Sequence, residues 1–235
     1  MDTYLPDFTQ RFSVAGENPD SVVFTAKDIS RYYGKYCALE PTDLALLRGE
    51  LVLLSGQNGA GKSTLLNCLC GLLRPSSGQV EVGGYDLYND EVEAKKRLAY
   101  VPDVPRFYTE LTAWEHLKFV AMAHDAMEGF DARAAGLLKM LGLWEGRDLY
   151  PHNYSRGMSL KLGVALALVR PFQVLIMDEP TSALDPESVD QVVNLLGALR
   201  DRGSAVLFTS HNLALVEELH AAHWHMQAGV LKVVA

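Results

Sequence analysis

The run Gly56-Gln57-Asn58-Gly59-Ala60-Gly61-Lys62-Ser63-Thr64 spaces its glycines, lysine and hydroxyls as G-x-x-x-x-G-K-S, a pattern suited to wrapping a polyphosphate. Bare glycine backbone lets successive N–H groups turn toward an anion, and a helix N-terminus beyond it adds unpaired N–H groups and a favourable dipole. In this reading Lys62 reaches the β- and γ-phosphates and the Ser63 hydroxyl holds Mg²⁺, which takes oxygen ligands from few protein groups and from the phosphates themselves. Two acids, Asp178 and Glu179, close the apolar run Val174-Leu175-Ile176-Met177, and His211 follows the run Ala205 to Thr209. Asp178 is the candidate metal ligand opposite Ser63. Glu179 is the candidate general base, since a carboxylate beside the metal can deprotonate the water attacking the γ-phosphate, a contribution of about 10² to 10⁴ in rate. His211 is a candidate γ-phosphate contact. Taken singly, a Glu or His at a strand end is ordinary polar surface.

These residues need elements to hold them. The apolar run Glu50 to Ser55 reads as the strand entering the loop, and Lys62 to Leu73 as the helix leaving it, with Leu65, Leu66, Leu69, Leu72 and Leu73 as a core stripe ended by Arg74-Pro75. Val22–Ala26, Tyr36–Leu39 and Gln79–Val82 read as short strands of a small antiparallel sheet flanking the loop. Tyr32 and Tyr33 there are either packing or a platform for an adenine ring. Val104 to Tyr154 is rich in helix formers, with amphipathic pieces at Glu115–Met122 and Ala132–Leu141, and reads as a helical insertion. Leu160–Val169 is a mostly buried helix. Val174–Met177 and Ala205–Thr209 are short apolar runs of the kind found inside parallel sheets. Asp185-Pro186 supplies the cap and first position of a helix that Gly203 closes. His223-Trp224-His225 hints at metal, but its alternation along a strand argues against that reading.

Bulk properties narrow the class. With 235 residues, 49% of them hydrophobic, the chain can bury one large α/β core. Its net charge of −8 and the absence of a basic stripe disfavour nucleic acid as a partner. Cys37, Cys68 and Cys70 lack zinc spacing and read as small apolar fillers in a reducing compartment. Residues 1–20 are expected to be a poorly ordered extension without a secretory leader, and no run of about 18 apolar residues predicts a membrane span.

From about Val22 to Val230 the sequence resembles the ATP-binding subunits of ABC transporters. Besides the phosphate loop it carries a Walker B run at Val174 to Glu179, a D-loop at Ser182-Ala183-Leu184-Asp185 and a switch histidine in Thr209-Ser210-His211. Tyr154-Ser155-Arg156-Gly157-Met158 stands where the family signature L-S-G-G-Q belongs. The resemblance implies a P-loop NTPase of the ABC ATPase type. Its α/β fold has a mainly parallel sheet core, a small antiparallel β subdomain and an α-helical subdomain at about 104–165, within an ATP-binding domain spanning 21–235. It implies an ATPase whose ATP is bound by Tyr33, stacking on adenine, and by Gly56, Gln57, Asn58, Gly59, Ala60, Gly61, Lys62, Ser63 and Thr64. Ser63, Asp103 and Asp178 would hold Mg²⁺, and Glu179 and His211 would be catalytic. Ser155 and Gly157 would contact ATP on a second ATP-binding subunit, identical or not. An integral membrane permease would be the other partner, with the chain peripheral on the cytoplasmic face of the cell membrane.

Two motifs depart from the family pattern. Asp103 follows Tyr100-Val101-Pro102 where a glutamine is usual, and in the signature Arg156 stands for the first glycine and Met158 for the final glutamine. A carboxylate can still ligate Mg²⁺ but donates no hydrogen bond when ionised, and the target of the arginine is open. These features are similar to subunits serving exporters of drugs, polysaccharides or other hydrophobic cargo. The segment Asp103 to Tyr108 is expected to be a hinge and docking surface for the membrane partner. Alternatives are a soluble ABC ATPase acting on a ribosome or DNA complex, which would favour paired domains or long heptads, and a GTPase or small-molecule kinase, which would leave the signature segment unexplained and lacks N-K-x-D.

Overall fold

A computed structural model describes residues 21–234; the expected extension at 1–20 lies outside them. The chain opens with two long strands, β1 (Val22–Tyr33) and β2 (Tyr36–Leu47), followed by β3 (Leu51–Ser55), which enters the glycine-rich loop, and α1 (Lys62–Leu69), which leaves it. Next come β4 (Ser77–Val82), β5 (Tyr85–Asp86), α2 (Glu91–Arg97) and β6 (Leu98–Val101). The helices α3 (Ala113–Ala123), α4 (Phe130–Met140) and α5 (Arg156–Leu168) then precede β7 (Val174–Met177). The chain finishes with α6 (Pro186–Asp201), β8 (Ala205–Thr209), α7 (Ala214–Glu218), β9 (Ala222–Gln227) and β10 (Val230–Val234).

Two sheets result. The six-stranded one has the order β10-β9-β3-β8-β7-β6, parallel except where β10 turns back along β9. Every residue of β3, β7 and β8 is buried, as expected of strands covered on both faces. Leu51, Leu53, Leu175, Met177, Val206 and Phe208 face a core shared with α3, α4, α5 and α6. Val52, Leu54, Val174, Ile176 and Leu207 face the opposite way, onto α1 and the antiparallel sheet of order β2-β1-β4-β5.

The antiparallel sheet is built from longer strands than the sequence runs indicate. Pairing of β1 with β2 slips between Ala26 and Ile29 and again before Arg31 and Tyr32, and Asp28 has a positive φ of 51. These bulges break the alternation by which a strand is read. Pro41 is tolerated because β2 lies at the sheet edge. The helix after the loop, conversely, is shorter than its leucine spacing suggests. Gly71, at φ 71, turns the chain, and Leu72 N–H bonds to Asn67 O at 2.9 Å, closing the helix two turns into the stripe. Leu72 is therefore 63% exposed rather than core.

Side-chain caps fix the starts of α3, α5 and α6. Asp185 accepts from Ser188 N–H at 3.0 Å with Pro186 at the first position of α6. Thr112 and Glu115 form a reciprocal capping box on α3, so that helix starts two residues before the expected Glu115. Among the described residues no helix is long and apolar enough to cross a membrane.

Candidate functional site

Parallel pairing of β3, β8, β7 and β6 brings the segments that follow them to one edge of the sheet. In that order they carry the glycine-rich loop, Ser210-His211, Asp178-Glu179 and Asp103. This edge is where ligands gather in open α/β sheets.

The loop is shaped by glycines that nothing larger can replace. Gly61 has φ 108, and a Cβ there would lie 2.6 Å from Ala38 O; Gly56, at φ 149, would meet Met226 O at 2.4 Å. Strands β2 and β9 thus press on the loop, and in the turn before β10 Gly229 N–H bonds to Ala60 O at 2.9 Å. Gln57, Asn58 and Gly59 are exposed at its crest, while Ala60 is buried beneath. Lys62 is buried, its Nζ donating to Gly56 O at 2.7 Å and Gln57 O at 3.3 Å. Its ammonium is thereby held inside the curve of the loop. Thr64 is half-buried on the first turn of α1.

Ser63 and Asp178, 115 residues apart, meet: Ser63 Oγ donates to Asp178 Oδ2 at 3.2 Å. A hydroxyl and a carboxylate side by side form an oxygen-only donor set, which fits Mg²⁺. The other oxygen of Asp178 accepts from Thr209 Oγ1 at 2.7 Å, and that hydroxyl in turn accepts from Glu179 N–H at 2.7 Å. Fully buried Thr209 thus fixes both acids at once. Sequence reading gave Thr209 no role beyond its tripeptide; the signal available was a hydroxyl ending a strand otherwise made of apolar residues.

Glu179 adopts a left-handed backbone at φ 49, which costs a non-glycine residue about 1–3 kcal/mol and is sustained here by the Thr209 bond. Its Oε1 is buried without a hydrogen bond and lies 3.3 Å from His211 Nε2. Burial raises the Glu179 carboxyl above its ordinary value, opposed by His211 and Lys62 and assisted by Asp178 and Asp103. A poorly solvated carboxylate facing an imidazole is a competent proton acceptor. His211 is itself exposed.

Asp103, expected at the metal, is engaged elsewhere. Arg156 Nη2 and Ser182 Oγ both donate to its Oδ1 at 3.0 Å, which supplies the target of the arginine that the sequence left open. Ser155 caps α5, its Oγ accepting from Met158 N–H at 3.2 Å. A Cβ on Gly157 would meet Ala183 O at 2.9 Å, so that glycine seats α5 against the 182–184 segment. Tyr33 is half-exposed at the end of β1, with the Arg31 guanidinium 4.8 Å from its ring centre. His223 and His225 both point at Ser55, at 2.8 Å from its hydroxyl.

A family profile described as ABC transporter matches residues 39–182. Linearmycin resistance ATP-binding protein LnrL of Bacillus subtilis (strain 168) is 35% identical over 195 residues, covering 83% of this chain and 63% of that protein. Bacitracin transport ATP-binding protein BcrA of Bacillus licheniformis is 31% identical over 202 residues, covering 85% of this chain and 65% of the relative. The chain therefore spans just under two thirds of the length of these relatives. A solved structure described as the ATP binding subunit of an ABC transporter superposes with a TM-score of 0.84 at 30% identity, covering 90% of both chains.

Proposed function

This chain belongs to the ABC transporter family, and from that membership we propose that it is the ATP-binding subunit of a transporter, hydrolysing ATP at the interface with a second such subunit to drive a separate membrane permease. The observation that carries the reading is the hydrogen-bonded chain Ser63–Asp178–Thr209–Glu179 at the mouth of the glycine-rich loop. Ser63 and Asp178 would hold Mg²⁺, which would supply positive charge against the phosphates. Lys62, already directed into the loop, binds those phosphates. Glu179 orients the attacking water and takes its proton, and His211 beside it contacts the γ-phosphate. Tyr33 stacks on adenine. Ser155 and Gly157 reach the nucleotide of the partner subunit from the start of α5. The names of the relatives, one in linearmycin resistance and one in bacitracin transport, support an antibiotic-type cargo, and the permease anchors this chain at the cytoplasmic face of the membrane.

Glu179→Gln tests the reading. The neutral amide keeps the shape but loses the base, so ATP binding should persist while hydrolysis falls about 10² to 10⁴-fold and gel filtration with ATP shows a trapped dimer. Lys62→Ala is the control and should abolish most ATP binding by calorimetry. Hydrolysis at the unmodified rate in Glu179→Gln would remove Glu179 from its role; undiminished binding by Lys62→Ala would remove the loop from its own.

A further inference from the structure

The segment after β6, the first turn of α5 and the loop following Glu179 are joined by one cluster of side chains. Arg156 Nη2 lies 3.0 Å from Asp103 Oδ1 and 3.4 Å from Ser182 Oγ, and Ser182 Oγ donates to the same Asp103 oxygen at 3.0 Å. Asp103 and Arg156 are 53 residues apart in the chain. The strand ahead of Asp103 pairs directly with β7, Val101 beside Met177, and Asp178 N–H bonds to Val101 O at 2.8 Å. Asp103 is consequently the third carboxylate at an edge already holding Asp178 and Glu179, and its charge adds to the forces that raise Glu179. A triphosphate must enter that edge.

Building on the nucleotide-binding reading above, we propose that Arg156 is a positioning residue for the nucleotide of its own subunit: its guanidinium neutralises Asp103 and holds that carboxylate onto Ser182, so that the phosphates meet two acids at the edge rather than three. The pair works as a unit. Arg156 alone would be a stray cation, and Asp103 alone a repelling anion at the phosphate site. The pair is half in solvent, with side chains 59% and 39% exposed, so its effect is modest and salt-dependent.

The test is a double-mutant cycle read by the dissociation constant for ATP with Mg²⁺, at protein concentrations where light scattering shows monomer, which removes any contact of Arg156 with a partner's nucleotide. Arg156→Ala should weaken ATP binding about three- to fivefold at low salt, an effect that fades at high salt. Arg156→Lys, keeping the charge, should recover most of the loss. Asp103→Asn should bind ATP at least as well as the unmodified chain, and in that background, with no acid left to cover, Arg156→Ala should change affinity by less than about twofold. A merely structural clasp predicts something else: melting temperature falls in both single variants and ATP affinity follows it in the same direction. The proposal is overturned if Arg156→Ala binds ATP as the unmodified chain does, if Asp103→Asn weakens binding, as a metal ligand would, or if Arg156→Ala weakens binding as much in the Asp103→Asn background as in the unmodified chain. Failure of the unmodified chain to bind ATP would instead indict the nucleotide-binding reading.

Discussion

At the scale of single residues, Thr209 has the most to answer for. Its hydroxyl donates to Asp178 and accepts from Glu179 N–H, and it has no access to solvent. Thr209→Val keeps the shape and removes both bonds, leaving a buried carboxylate oxygen and a backbone N–H unpaired, at a cost of about 1–3 kcal/mol. Because the left-handed turn at Glu179 depends on that N–H bond, hydrolysis should fall further than ATP binding does. Chemical denaturation together with kcat and KM checks this. A variant with native stability and native kcat would show that Glu179 is held by other means. The raised carboxyl of Glu179 adds a pH signature to its proposed role: a base works only when ionised, so hydrolysis should be lost on acidification at a pH above the usual carboxylate range.

At the scale of elements, the segment leading from β6 to α3 separates two aromatic neighbours that the sequence treats alike. Phe107 packs on the core and meets His116 edge-on, with ring centres 5.5 Å apart. Tyr108 is 58% exposed, stacks on the other side of His116 and touches Phe119, which is also exposed. Buried His116 ties the segment to α3: its Nε2 accepts from Tyr108 N–H at 2.9 Å while its Nδ1 lies 2.8 Å from Thr112 O. An acceptor at Nε2 and a carbonyl at Nδ1 require the neutral, Nδ1-protonated ring. Phe107→Ala should therefore lower the melting temperature, as lost core packing does by about 2–4 kcal/mol. Tyr108→Ala should melt like the unmodified chain and yet fail to co-purify with the membrane subunit. Retained co-purification by a stable Tyr108→Ala would take docking away from this segment.

At the scale of the whole molecule, His124 and Arg170 sit where the helical layer joins the sheet. Buried Arg170 donates to Lys96 O and Pro171 O at 3.1 Å and also to Leu98 O, stitching the end of α2 to the end of α5. Burial, and then the Arg170 charge, push His124 down from 6.5 to about 4. The unfolded chain thus takes up a proton that the folded chain refuses. The contribution of neutral His124 is complete above about pH 6.5 and is lost as pH falls from 6.5 toward 4. His124→Gln should flatten the fall in stability over that window, measured as denaturation midpoints at successive pH values. An identical slope in the two proteins would mean that other groups govern it.

What could be read without coordinates was local. The glycine-rich loop, the acids ending an apolar strand and the Asp185-Pro186 cap each depend on neighbours within a few residues, and backbone sterics and period fix such features in the chain itself. Bulges hid the length of β1 and β2 because a slipped register erases the alternation, and Gly71 cut short a leucine stripe whose spacing ran on. The meeting of Ser63 with Asp178 across 115 residues, of Thr209 with Asp178 across 31 and of Arg156 with Asp103 across 53 depends on which strands became neighbours. Strand order is settled by how two hydrophobic faces are buried at once, a property of the whole chain that no single segment contains. The sequence by itself therefore determined which groups to propose for binding and cleaving a phosphate, and the tertiary structure alone decided that a threonine would align the acids and that Arg156 would face Asp103.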